Sequence, residues 1–159
     1  MHERILIPLD GSQVGESALP YVEDLLSKLS PEVKVEVTLL QVLRLLRPSV
    51  VSGLAVPDIA YTQQEMEESK KKAIDYLNKA GERLKRKGAA VAARVSTGDA
   101  SEAIVKVAEE INADLIAMST HGRSGLSRWA FGSVTDKVLR RGARVPILTV
   151  RGPGKSAKT

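Results

Sequence analysis

The residues of this chain best suited to chemistry lie between Met118 and Thr135. Met118-Ser119-Thr120-His121-Gly122-Arg123-Ser124-Gly125 continues an apolar run, Asp114-Leu115-Ile116-Ala117-Met118, that reads as a buried strand. Gly132-Ser133-Val134-Thr135 then opens an amphipathic helix. A strand that empties into a glycine-punctuated loop and then into a helix start is suited to holding an anion. Glycines let backbone N–H groups approach closely, and the unpaired amides and positive dipole end of the helix attract negative charge. Gly122, Gly125 and Gly132 are each compatible with plain turns, but three in one loop ahead of a helix favour phosphate. Ser133 is an N-cap residue by type, and its hydroxyl can cap the helix or meet a phosphate. Asp136 already complements the helix dipole. Arg123 and Arg128 can offset it by pairing with phosphate oxygens, and Arg123 is the preferred partner.

A second group stands at the other end of the chain. Arg4-Ile5-Leu6-Ile7-Pro8-Leu9 reads as a first strand buried on both faces, and Asp10-Gly11-Ser12 ends it. Asp10 is either a turn residue or a hydrogen-bond acceptor at the sheet edge. His121 has no Ser or Asp partner placed to orient it as a base, so it reads as a structural loop histidine. Trp129 and Phe131, the only Trp and Phe, read as plugs against the body or an interface. Gly154-Lys155-Ser156 imitates the end of a Walker A loop, yet the upstream glycine falls at Thr149 and no helix follows.

Composition narrows the classes further. A chain of 159 residues with 43% hydrophobic and 27% charged residues is expected to form one soluble globular domain. Absence of cysteine excludes disulfides, thiolate metal sites and thiol catalysis, and two histidines do not make a histidine-rich metal centre. No apolar run approaches the ~20 residues of a membrane span, so a cytoplasmic address is expected. The net charge of +5 comes largely from one helix face and the tail. With aromatics at 3% and no aromatic-interleaved basic cluster, nucleic acid is not the expected partner.

The elements that must position these residues alternate regularly. Helix one carries Ala18, Tyr21, Val22, Leu25, Leu26 and Leu29 at helical spacing, with Pro20 in its first turn or at a kink. Strand two spans 34–43. Residues 44–61, with Pro48, Gly53 and Pro57, show no clean period and read as a long irregular connection. Thr62-Gln63-Gln64-Glu65 is a capping box for helix two, whose inner stripe is Met66, Ala73, Leu77, Ala80 and Leu84, with Gly88 just past its end. Strand three covers 89–95. Asp99-Ala100-Ser101-Glu102 is a second capping box, opening a helix with the stripe Ile104, Val107, Ala108 and Ile111. Strand four is 114–118, helix four runs from Ser133 to about Arg141 before Gly142, and the last strand is 145–150. The tail, 152–159, is too polar and too rich in Gly, Pro and Lys to pack, and is expected to be disordered. This order predicts an α/β fold with a single doubly wound five-stranded parallel sheet. Ligands of such sheets bind beyond the carboxyl ends of the strands, where the strand order reverses.

Ser119-x-x-Gly122, nine residues, then Gly132-Ser133 resembles the C-terminal signature of the universal stress protein family, Gly-x2-Gly-x9-Gly-Ser/Thr. Thr120-His121-Gly122-Arg123-Ser124-Gly125-Leu126-Ser127-Arg128 and Pro8-Leu9-Asp10-Gly11-Ser12 are similar to further family text. The resemblance covers residues 3 to 151 and implies one domain, 1–151, of Rossmann-like, adenine nucleotide alpha hydrolase-like fold with strand order 3-2-1-4-5. It implies a regulatory stress-response protein that binds ATP or AMP, with Mg2+ accompanying a triphosphate, and at most slow ATP hydrolysis. The nucleotide-binding set it implies is Pro8, Asp10, Val42, Met118, Gly122, Arg123, Gly125, Gly132, Ser133 and Val134, with Val42 acting through its backbone. It also implies a homodimer through the last strand, and it leaves protein partners unnamed. The single departure is Ser119 in place of the first signature glycine. That departure motivates a second reading, a dimeric interaction module of the same family that binds no nucleotide. Neither the His-x-x-His nor the Ser-Gly-Gly-x-Asp-Ser signature of related enzymes is present, and the aspartates a phosphoacceptor receiver needs are missing.

Overall fold

The computed structural model describes residues 1–51, 54–120, 133–142 and 144–152, and over 46–59 it describes the backbone alone. Strand β1 (His2–Pro8) buries Ile5, Leu6 and Ile7 in succession, as a strand covered on both faces must. It pairs in parallel with β2 (Lys34–Leu43) on one side and β6 (Leu115–Thr120) on the other. Outside them lie β5 (Ala90–Thr97), against β2, and β7 (Ile147–Arg151), against β6. The sheet order is therefore β5-β2-β1-β6-β7, the expected 3-2-1-4-5 with two further strands inserted in the numbering. At the open end of β6, Asp114 Oδ2 accepts from the Arg4 amide at 2.8 Å and locks it beside β1.

Parallel neighbours cannot be joined by tight turns, so helices cross the two faces. Helices α1 (Ala18–Lys28) and α2 (Gln63–Arg86) cover one face, where Val22, Leu26, Leu77 and Leu84 pack on Ile5, Ile7, Val37, Leu39 and Ala117. Helices α3 (Ala100–Glu110) and α4 (Ser133–Arg140) cover the other, where Ile104, Val107, Ala108 and Val138 pack on Leu6, Leu40, Ile116 and Met118. Pro20 falls in the first turn of α1, where the N–H it lacks would have no intrahelical acceptor. Tyr21 is half exposed rather than part of the buried stripe, because it lies about 100° round the helix from Val22. No described helix is long and apolar enough to cross a membrane.

Most local signals hold. Glu65 N–H donates to Thr62 Oγ1 and Thr62 N–H to Glu65 Oε2, a complete capping box. Gly88, at φ +90°, ends α2, its own amide bonding Lys85 O while the Ala89 amide bonds Leu84 O. The second capping box is only half made: Asp99 accepts the Glu102 amide at the start of α3, but among the described residues Glu102 does not return a bond to the Asp99 amide.

One expectation needs correction and one an addition. Residues 44–61 are not an irregular connection: β3 (Leu46–Val51) and β4 (Leu54–Ala60) form an antiparallel hairpin. Its register shifts between Arg47 and Ser49, the position of Pro48, which is where a residue without an N–H is tolerated. Two prolines break the alternation over so short a span, which is why no period shows. The inner stripe of α2 also includes Gly81, beside Ala80, which packs partly buried against the same core: Gly81 is buried, and a Cβ there would lie 2.8 Å from Val91 Cγ1 and 3.1 Å from Leu39 Cδ1. Gly81→Val should therefore wedge α2 off the sheet and cost about 1–3 kcal/mol. Thermal denaturation should show this as a midpoint lowered by roughly 2–12 °C. An unchanged midpoint would mean that the helix is not seated on that strand pair.

Candidate functional site

Every strand of the parallel sheet ends at the same edge, so that edge collects the loops that leave the strands. β1 is flanked by β2, reached by the first crossover, and by β6, reached later from the other direction; the strand order reverses there. A cavity of about 140 Å³ opens at this point. Leu40, Ile104 and Met118 give it an apolar lining, while Asp10, Ser119 and Ser133 add polar groups. Pro8 ends β1, Val42 stands near the end of β2, and Ser133 and Val134 open α4. Pro8, Asp10, Val42, Met118, Ser133 and Val134, all expected from the sequence, thus line one cavity. Gly122, Arg123, Gly125 and Gly132, with His121, Trp129 and Phe131, lie outside the described residues.

Asp10 takes the turn role. Its Oδ1 accepts from the Ser12 amide at 2.9 Å and from Ser12 Oγ at 2.6 Å, making the turn. Among the described residues nothing donates to Oδ2. Ser12 Oγ in turn accepts from the Gly15 amide at 2.9 Å.

Ser119, the departure from the family pattern, turns its hydroxyl toward the start of α1. Oγ donates to Gly15 O at 2.8 Å and accepts from the Ala18 amide at 3.0 Å. The side chain therefore ties β6 to the β1–α1 loop. Ser119→Gly removes both bonds and should cost about 1–3 kcal/mol, read as a lower chemical-denaturation midpoint. An undiminished midpoint would show the tie to be dispensable. From the other side, Tyr76 Oη donates to Glu16 Oε1 at 2.9 Å, pinning α2 to the same loop. Partial burial, then the hydrogen bond to the Glu16 carboxylate, hold the Tyr76 phenol well above its ordinary pKa.

At α4, Thr135 Oγ1 reaches Ser119 O at 3.4 Å and is buried, closing the helix start onto β6. Asp136 pairs with Arg140 Nε at 2.8 Å, so its charge at the helix start has a partner of its own. Gly15, Ala100, Ile104 and Thr135 also line the cavity and were not singled out by sequence reasoning. Ala100 and Ile104 read as cap and core residues of α3, and the available signal was topological: α3 begins at the carboxyl end of β5. A wider groove of about 850 Å³ lies between α1 and α2, walled mainly by the two helices, with Arg151 at the end of β7 also lining it. Its acidic walls are already engaged, Glu23 by Arg83 at 2.9 Å and Glu16 by Tyr76. Among the described residues no group of three or more His, Asp or Glu could hold a metal ion.

The sequence model of the universal stress protein family matches residues 1–151. The chain belongs to the universal stress protein family. Universal stress protein MJ0577 of Methanocaldococcus jannaschii is 31% identical over 160 residues, covering 95% of this chain and 96% of that protein. The solved structure of MJ0577 superposes with a TM-score of 0.72 at 25% identity, covering 98% of this chain and 99% of the other. A universal stress protein solved in complex with cAMP matches at TM-score 0.61 and 20% identity, covering 94% and 96% of the two chains. An Arabidopsis thaliana member solved with AMP bound matches at TM-score 0.63 and 14% identity, covering 99% and 97%. These last two likenesses are of fold. Like them, this universal stress protein has the Rossmann-like sheet.

Proposed function

We propose that the protein binds an adenine nucleotide, ATP or AMP, in the cavity at the carboxyl edge of the sheet and acts as a regulatory stress-response protein. The observation that carries this reading is convergence: six residues from both ends of the chain line one switch-point cavity. Its volume is below the ~300–1,000 Å³ usual for small-molecule sites, which suits a planar base rather than a whole nucleotide. An apolar lining formed by Leu40, Ile104 and Met118, with the acceptor Asp10 Oδ2, fits the faces and amino edge of adenine. Ribose and phosphates would then extend toward the amides of Ser133 and Val134, with Gly122, Arg123, Gly125 and Gly132 the further phosphate residues that the family resemblance implies. Mg2+ would accompany a triphosphate. The family members solved with cAMP and with AMP support an adenine nucleotide as the ligand class. A second reading, a module without nucleotide, rests on Ser119 in place of the signature glycine; the hydroxyl's bonds to Gly15 and Ala18, which direct it to the start of α1, support the nucleotide reading instead.

The test is mass spectrometry of small molecules released from the purified, denatured protein, followed by calorimetric titration with ATP and AMP. Near-stoichiometric release of an adenine nucleotide, or saturable binding of one, is the expected result. Failure to bind either would overturn the reading. We also propose a homodimer through the free edge of β7.

A further inference from the structure

We infer that Ser12 and Gly15 are positioning residues for Asp10 and that they set a preference for a 6-amino over a 6-oxo purine; this rests on the nucleotide reading above. Gly15 is the informative residue. It lies in the 3-10 turn Gly15–Ser17 and is absent from the positive-φ positions, unlike Gly11 at φ +83°. Its backbone would accept any L-residue. What it cannot accept is a Cβ, which would stand 2.3 Å from Asp10 Oδ1 and 3.2 Å from both Asp10 Cγ and Ser12 Oγ. The bare glycine therefore serves its neighbour's carboxylate, not its own conformation.

Gly15 is also held where that matters. Its carbonyl accepts from Ser119 Oγ, and its amide donates to Ser12 Oγ. Ser12 then spends both its amide and its hydroxyl on Asp10 Oδ1. A relay from β6 through the loop thus occupies one oxygen of Asp10 with two donors and, among the described residues, leaves the other as an acceptor. A 6-amino group offers that oxygen a donor. A 6-oxo group sets one acceptor against another at that position, so the bond made to the 6-amino group is lost.

The atoms a methyl at residue 15 would meet belong to the movable end of a side chain, so Asp10 should give way while the fold stands. Gly15→Ala should leave the protein folded with a thermal midpoint at most a few degrees lower, the two bonds lost from Asp10 Oδ1 being partly offset by the smaller unfolded-state entropy of alanine. It should lower ATP affinity about ten- to 100-fold and ITP affinity little, bringing their ratio toward one. Ser12→Ala should move the ratio in the same direction by a smaller factor. Equal loss of both nucleotides, or an unchanged ratio, would overturn the inference. A crystal structure of Gly15→Ala judges it without any ligand: Asp10 should be rotated off the Ser12 amide with the backbone in place, and Asp10 in its original orientation would overturn it. Failure of the nucleotide reading shows separately, as wild-type protein that takes up neither ATP nor ITP; the variant structure then decides alone.

Discussion

Asp10→Asn should weaken ATP binding by roughly ten- to 150-fold while leaving the melting temperature close to that of wild type. The asymmetry of the site makes the amide the sharper probe. Oδ1 receives two donors from Ser12, so an asparagine must place its carbonyl oxygen there to keep them. Its NH2 group is then forced into the position of Oδ2. A donor faces the purine amino group where an acceptor stood, and a charge-assisted hydrogen bond of about 1.5–3 kcal/mol is lost. Asp10→Ala should lose the same affinity and also weaken the turn. Calorimetric titration beside a thermal melt separates the two variants. Wild-type affinity in both would remove Asp10 from the site.

Thr149→Pro should convert a homodimer into a folded monomer. Among the described residues β7 is the end strand of the sheet and no strand pairs with its outer edge; unpaired edge groups are a liability proteins cover, charge or pair with a second chain. Parity decides which groups face outward. Pro146 O accepts from the Ile116 amide and the Gly152 amide donates to Thr120 O, so even-numbered residues serve β6. Ile147, Thr149 and Arg151 therefore direct their backbone groups to the free edge. A proline at 149 deletes the central outward donor and no bond to β6. Leu148 makes a poorer target, because it packs on the cluster beneath α1 and a charge there would strike the monomer itself. Light scattering should give a dimer for the intact protein and a monomer with unchanged circular dichroism for Thr149→Pro. A wild type that stays monomeric at high micromolar concentration would defeat this assembly.

What could be read from the chain alone concerned neighbours in sequence. The Thr62–Glu65 box, Gly88 past the end of α2, the apolar run Ile5-Leu6-Ile7 and the stripe of α3 all depend on spacings of a few residues, and each stands where expected. The alternation of strand and helix likewise required a parallel sheet, because such strands need long crossovers. Strand order and most of the site came through the family's text at Pro8-Leu9-Asp10 and Gly132-Ser133. The hairpin at 46–60 escaped because two prolines interrupt a short alternation, and backbone pairing compensates for them in a way composition does not record. Gly81 escaped because what it meets, Leu39 and Val91, lies on two other elements.

The roles of Ser119 and Gly15 belonged wholly to the tertiary structure. In the chain, Ser119 is a serine where a signature has glycine, and Gly15 is one more glycine in a loop. They stand 104 positions apart, and the fold brings the hydroxyl of one within 2.8 Å of the carbonyl of the other. Spacing along a sequence specifies periodic structure because those contacts are local. It does not say which distant backbone a side chain will meet, since the path of the chain between them sets that distance.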